Sequence, residues 1–255
     1  KVINNFDYSS NSRISKFGIL NNLNIYFKNL NTIGKNDNVY KSSPQIELMN
    51  IYEISSELPL KKTKGKYDNF LTPKISFRFN PSDMKNHSSA LRNVTADGIF
   101  GINRLGLDDS FEKGKSLTVG LNYKKERLKN INEFFEFKLA TVLRDREEDF
   151  IPSSSSLNKK NSNLFGSISN KFSDNISIGY DFSLDNDFNT LEYNSIGTTL
   201  SNNNIVTTFN FTETNGERGD TSIFATSIEY NINEENFLTF KTRRNRKTNF
   251  TEYYD

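Results

Sequence analysis

Cysteine and tryptophan are absent from these 255 residues, and histidine occurs once. Without cysteine the chain holds no disulfide framework and no thiolate zinc site. The lone His87 lies in the polar run Asn86-His87-Ser88-Ser89. Nucleophilic or general-base catalysis needs a base fixed by a second group, and a solvated loop histidine is the simpler role. The expectation is no enzyme, no cofactor and no metal site. An excess of one charge is also lacking: 33 Lys and Arg against 31 Asp and Glu leave +2, too little to drive nucleic-acid binding. No run of 18 apolar residues exists, which excludes a transmembrane helix. No 3.6-residue apolar stripe runs far, so helices should be few. The chain opens at Lys1 without a signal peptide, as expected of a processed chain or a segment of a longer one.

What is abundant is Phe (22) and Tyr (11), set in a period of two. Leu71, Pro73, Ile75, Phe77 and Phe79 alternate with Thr72, Lys74, Ser76, Arg78 and Asn80; Ile176, Ile178, Tyr180, Phe182 and Leu184 alternate with Ser177, Gly179, Asp181, Ser183 and Asp185. Successive strand side chains point to opposite sides of a sheet, so each stretch has one apolar and one polar face. The pattern predicts about eleven strands, at roughly 14–28, 45–59, 69–80, 116–125, 133–145, 163–172, 175–185, 190–200, 205–213, 221–232 and 237–247. In an antiparallel meander every second connection falls on the same side. One side then collects roughly 16, 35, 17, 4 and 7 residues and the other roughly 9, 7, 2, 4 and 4. Long loops at one end and tight turns at the other are the layout of an outer-membrane barrel. Residues that tolerate tight turns stand at Ser173-Asp174-Asn175, Asp185-Asn186-Asp187, Asn202-Asn203-Asn204 and Asn231 to Asn236. Tyr52, Phe70, Tyr123, Phe172, Tyr193, Tyr230, Tyr253 and Tyr254, near strand ends, suit interfacial girdles. The fold class expected is all-β: an antiparallel meander forming part of a large transmembrane barrel. A soluble β-sandwich, acting as an extracellular binding module, is the rival; its apolar face would pack on a second sheet.

The polar face carries mid-strand charge: Lys74, Arg78, Glu136, Lys138, Asp181, Lys241 and Arg243, the candidates to line a lumen. At the end of the last full strand, Arg244, Arg246 and Lys247 lie towards the long-loop side, where they could meet phosphates of the outer-leaflet lipid. Carboxylates cluster at Asp108, Asp109 and Glu112 and at Asp145, Glu147, Glu148 and Asp149; solvated loop charge explains them more simply than calcium. Ser153 to Ser156 with Asn158 to Asn161 reads as a flexible, exposed tip of low complexity.

One block is specific. Ile99-Phe100-Gly101-Ile102-Asn103-Arg104-Leu105-Gly106-Leu107-Asp108-Asp109 leads into Phe111-Glu112-Lys113-Gly114 and then Leu117-Thr118-Val119-Gly120-Leu121. This resembles the hallmark stretch of the LptD family, the lipopolysaccharide-assembly or organic solvent tolerance proteins. There a Phe-x-x-Asn-Arg loop precedes a Glu-x-Gly and a Leu-Thr-x-Gly-Leu strand. Phe70-Leu71-Thr72-Pro73 resembles the family's upstream Leu-x-Pro strand; the Asp108-Asp109 pair departs from it, where many relatives carry a basic residue. The resemblance implies a very large outer-membrane barrel in a Gram-negative bacterium, a lumen plugged by an LptE-like lipoprotein, and lipopolysaccharide delivered along a periplasmic LptA-type bridge to an N-terminal jelly-roll. Residues 1–255 would then be a single partial barrel domain, lacking the jelly-roll and the first and last barrel strands. The motif residues Asn103, Arg104, Gly106, Asp108, Asp109, Glu112 and Gly114 would order a loop over or into the outer mouth, with Asn103 and Arg104 bonded to backbone or to Asp108 and Asp109. A porin-like or substrate-specific channel is the alternative function.

Overall fold

The computed structural model describes residues 1–36, 40–233 and 235–255. Position 234, within the expected turn Asn231 to Asn236, lies outside them. The strands are β1 (Val2–Ser9), β2 (Arg13–Ile14), β3 (Leu20–Thr32), β4 (Gln45–Glu57), β5 (Leu60–Lys64), β6 (Tyr67–Asn80), β7 (Gly114–Arg127), β8 (Asn130–Arg144), β9 (Leu164–Ser173), β10 (Ile176–Leu184), β11 (Leu191–Asn202), β12 (Ile205–Thr214), β13 (Thr221–Asn231), β14 (Phe237–Asn245) and β15 (Phe250–Tyr254). They form one antiparallel sheet in which chain neighbours pair, with β2 set beside β3 and β5 beside β6. All eleven expected strands are present. The first is displaced the furthest, from 14–28 to Leu20–Thr32. Four further strands, β1, β2, β5 and β15, correct the count. In β1, Asn4, Asn5 and Asp7 hide the period of two; the other three are only two or five residues long, too short to show a period.

The loop parity holds. Segments 33–44, 81–113, 145–163, 185–190, 215–220 and 246–249 leave one rim; 10–19, 58–66, 128–129, 174–175, 203–204 and 232–236 leave the other. The long connections share the first rim.

The two faces are inverted relative to a water-soluble sheet. Across four strands the register aligns Glu53, Arg78, Ser116 and Arg144 in one row and Ile54, Phe77, Leu117 and Leu143 in the next. Glu53 and Arg78 are 5% and 3% exposed, whereas Ile54 and Phe77 are 56% and 44% exposed. The same inversion recurs at Lys28 against Phe27, and at Ser183 against Phe182. Leaving one large apolar side chain in water rather than burying it costs about 1.5–3 kcal/mol. No soluble fold sustains that over row after row. A hydrocarbon surround removes the cost, and a sheet that pairs its own backbone groups can sit in one. The soluble-module reading fails on this point. Parity also corrects three of the girdle assignments: Phe70, Tyr193 and Tyr253 pair with Lys124, Ser183 and Arg243 on the inner rows.

The only apolar cores among the described residues form on the polar face, and loops supply most of them. Met84, Val94, Ala96, Ile99, Leu105 and Leu107 of segment 81–113 pack with Ile151 and Leu157 of 145–163 over Ala140, Val142 and Phe165 of the wall. Phe111 joins Leu30, Met49 and Ile51 of β3 and β4 in a second cluster. The serine run, expected as a flexible exposed tip, is instead a buried 3-10 turn at Ser153–Ser155. Its hydroxyls bond the loop backbone: Ser154 Oγ accepts from the Arg92 amide (2.9 Å), and Ser155 Oγ donates to the Pro152 carbonyl (2.6 Å). Small polar side chains suit such crowded loops.

Candidate functional site

Segment 81–113 crosses the inner face, and one ion cluster fixes it there. Arg104 and Glu112 are eight residues apart on the loop. Arg104 Nε and Nη2 donate to Glu112 Oε2 and Oε1 at 2.6 and 2.5 Å, the two-pronged geometry that makes guanidinium–carboxylate pairs strong. The remaining Arg104 hydrogens reach the wall and the loop backbone: Nη1 donates to Thr118 Oγ1 (2.9 Å) and the Ile99 carbonyl (3.3 Å), and Nη2 to Ser116 Oγ (3.0 Å). Two wall arginines converge on the same carboxylate. Arg144 Nη1 donates to Glu112 and its Nη2 to the Lys113 carbonyl. Arg78 Nη1 stands 3.7 Å from Glu112, while its Nη2 donates to Glu53 (3.1 Å) and the Gly101 carbonyl (2.8 Å). All five charged side chains are buried.

Burial alone would raise the Glu112 pKa. The Arg104 charge and hydrogen bonds, with Arg144 and Arg78 behind them, overcome that and hold it at about 2. The carboxyl therefore stays ionised at any physiological pH.

The motif glycines have geometric reasons. Gly106 closes a turn onto the Asn103 carbonyl (2.9 Å) with φ +62, and Gly114 enters β7 at φ +89, values that L side chains rarely take. A Cβ on Gly120 would lie 2.8 Å from the Phe100 ring, so its absence makes the seat for that ring.

Asn103 behaves as expected, exchanging hydrogen bonds with the Leu107 backbone at 2.9 Å in both directions. Arg104 meets the backbone half of that expectation at the Ile99 carbonyl, but its carboxylate partner is Glu112, not the Asp108/Asp109 pair. The turn at Gly106 carries the aspartates to the other side of the loop. There the Asp108 carbonyl accepts from Lys28 Nζ (2.7 Å), and Asp109 accepts from Tyr40 Oη (3.2 Å) and lies 3.2 Å from His87 Nε2. His87 is thus a partly buried partner of Asp109 rather than a solvated side chain.

By register Lys74, Arg78, Glu136, Lys138, Asp181, Lys241 and Arg243 all fall on the inner face. Arg78 is sealed beneath the loop and lines no open space, because Glu53 and Glu112 draw it into the cluster. Lys74 and Lys138 border a cavity of about 230 Å³ between loop and wall, with Glu57, Asp97, Phe100 and Asn122. Their charges are met by Glu57 (3.8 Å) and by Asp97 (2.7 Å) with Glu136 (3.2 Å). Arg244, Arg246 and Lys247 stand apart from all of this at the long-loop rim. Sequence reasoning missed Glu53, Asn80, Ser116, Thr118 and Arg144. Asn80 Nδ2 donates to the Glu112 carbonyl at 3.1 Å. Their one signal was membership of the polar rows beside the motif.

A family model described as LptD, LPS transport system D, matches residues 20–236. No curated protein matches the chain. Among solved structures, a mutant of the ferric enterobactin receptor (PfeA) of Pseudomonas aeruginosa superposes with a TM-score of 0.49 at 9% identity, over 96% of this chain and 43% of that one. The chain spans less than half the length of that receptor structure.

Proposed function

The chain belongs to the LptD family of lipopolysaccharide transport proteins of the Gram-negative outer membrane, and from that premise we propose that it is a section of the wall of the translocon that places lipopolysaccharide in the outer leaflet. The family is one of transport and assembly, and the role assigned here involves no catalysis. The apolar rows hold the wall in lipid. Segment 81–113, clipped to the inner face by Arg104 and Glu112, occupies part of the lumen next to the long-loop rim. The observation that carries this reading is the apolar outward face in a chain that matches the family over residues 20–236.

In this reading residues 1–255 are one part of a larger barrel, whose missing strands continue from the edges at β1 and β15. An LptE-like lipoprotein would meet the inner face, where Lys74, Lys138, Asp181, Lys241 and Arg243 present charge. An LptA-type bridge would dock elsewhere, on a periplasmic domain. The test is depletion of the full-length protein in its own cells. Surface lipopolysaccharide, measured by access of a non-penetrating lipid A-modifying enzyme, should fall while total lipopolysaccharide persists. Unchanged surface lipopolysaccharide, together with ion conductance of the reconstituted protein in planar bilayers, would support the porin-like or substrate-specific channel instead.

A further inference from the structure

At the long-loop rim the outward face changes character. Phe209, Phe211 and Phe224 lie on the outward rows of β12 and β13, with the Phe209 and Phe224 rings 6.5 Å apart. Directly beside them two exposed arginines project on the same side. Arg244 is the register partner of Phe224, and the Arg246 guanidinium lies 5.7 Å from the centre of the Phe211 ring. With Phe224 and Asn249 they border an open groove of about 510 Å³.

The pairing of charges around this groove is uneven. Arg243, one residue away but on the inner face, is bound to Glu252 (2.8 Å), and Lys247 is bound to Asp220 (2.5 Å). Arg244 donates to the amide oxygen of Asn249, and neither Arg244 nor Arg246 has a carboxylate within ion-pair distance among the described residues. The acid beside Arg246, Glu213, borders a neighbouring groove and accepts from Asn194 at 3.2 Å. Two adjacent guanidiniums thus keep open donors above an aromatic band that faces lipid.

We propose that Arg244 and Arg246 form an outward-facing site for the phosphate groups of a phosphorylated lipid in the leaflet beside the long loops, with its acyl chains lying on the Phe209, Phe211 and Phe224 band. The proposal rests on the barrel reading above, which sets this rim at a leaflet surface. Guanidinium forks match phosphate oxygens in pairs, and an apolar strip directly below matches the rest of such a molecule and not a free anion. Lys247 drops out of the expected trio, since Asp220 already neutralises it.

The test uses the full-length protein in mild detergent, with native mass spectrometry to read bound lipid. Bisphosphorylated lipid A should bind wild type and bind the Arg244→Ala/Arg246→Ala double variant at least about tenfold more weakly. Lys129→Ala, at the opposite rim, should bind like wild type. Dephosphorylated lipid A should bind wild type poorly, and millimolar inorganic phosphate should not displace the bound lipid. The Arg244→Lys/Arg246→Lys variant keeps the charge and should retain part of the affinity, which separates loss of the site from loss of folding. Equal binding by wild type and the double alanine variant would overturn the proposal, as would equal loss in Lys129→Ala or full displacement by phosphate. Such a failure leaves the translocon reading untouched, because that reading is scored by surface lipopolysaccharide in cells.

Discussion

Arg104 and Glu112 face each other through two parallel hydrogen bonds of 2.6 and 2.5 Å inside a sealed pocket between loop and wall. Around them three guanidiniums meet two carboxylates, a net charge of +1. Removing either member changes that balance in opposite directions.

Glu112→Gln leaves three arginines with Glu53 alone, a buried net charge of +2; Arg104→Ala leaves a neutral set but strands the donors and acceptors of Ser116, Thr118 and Glu112. Breaking a buried pair by removing one partner costs about 3–5 kcal/mol. Glu112→Gln should fall at the upper end and Arg104→Ala at the lower. Arg104→Lys should not restore the wild type, since an ammonium lacks the fork. Limited proteolysis of segment 81–113 in the folded protein should rank the variants in that order. In cells, Arg104→Ala in the full-length protein should raise sensitivity to large antibiotics at normal expression. An Arg104→Ala loop as protease-resistant as wild type would sink the clip.

The Glu112 carboxyl is held below its ordinary value of 4.5, at about 2. A depressed carboxylate adds stability that is fully present above 4.5 and is lost as pH falls through 2, roughly 3 kcal/mol in all. Pepsin should therefore cut within 81–113 far faster at pH 2 than at pH 4.5. In Glu112→Gln the cutting should lose most of that pH dependence, after correction for pepsin's own activity.

Gly120→Val should unseat the loop without disturbing the wall. Its branched side chain would drive into the Phe100 ring and the Leu139 carbonyl, which already stand 2.8 and 3.0 Å from the Cβ position. Overpacking of this kind costs about 1–3 kcal/mol. Protease access to 81–113 should rise with circular dichroism of the sheet unchanged. Gly120→Ala combined with Phe100→Ala should recover more of the protection than either change alone predicts.

Because the chain has no tryptophan, single introduced indoles report on each face from a dark background within it. Ile196→Trp and Ile228→Trp lie on outward rows, Ser195→Trp and Ser227→Trp on inner ones. Brominated lipid should quench the first pair strongly and the second pair little. Equal quenching of all four would refute the assignment of faces.

The meander was legible in the sequence because a half-buried strand writes its period of two into every residue, and Ile75-Ser76-Phe77-Arg78 does so plainly. The parity of loop lengths then gathered the long connections on one rim. The Asn103 to Gly114 block was legible as a motif, and Asn103 as a residue bonded to the loop backbone. What stayed hidden was long-range. Nothing local tells that Lys28 meets a carbonyl at position 108, 80 residues on, or that Arg144 closes on Glu112. The buried serines at 154–156 were misread for a related reason: hydroxyl-rich loops look alike whether they point at water or satisfy a packed backbone.

The apolar cores built by loops on the polar face mean that this protein assembles under two separate driving forces on opposite sides of one sheet. Transfer into the bilayer favours the wall, and exclusion of water favours the seated loop. Each half then has its own denaturant. Aqueous chaotropes act first on the cores around Ile99 and Phe111, and detergents that strip lipid act first on the wall. The Arg104–Glu112 clip is where the two transitions are mechanically joined, so its strength decides whether they occur as one event or two.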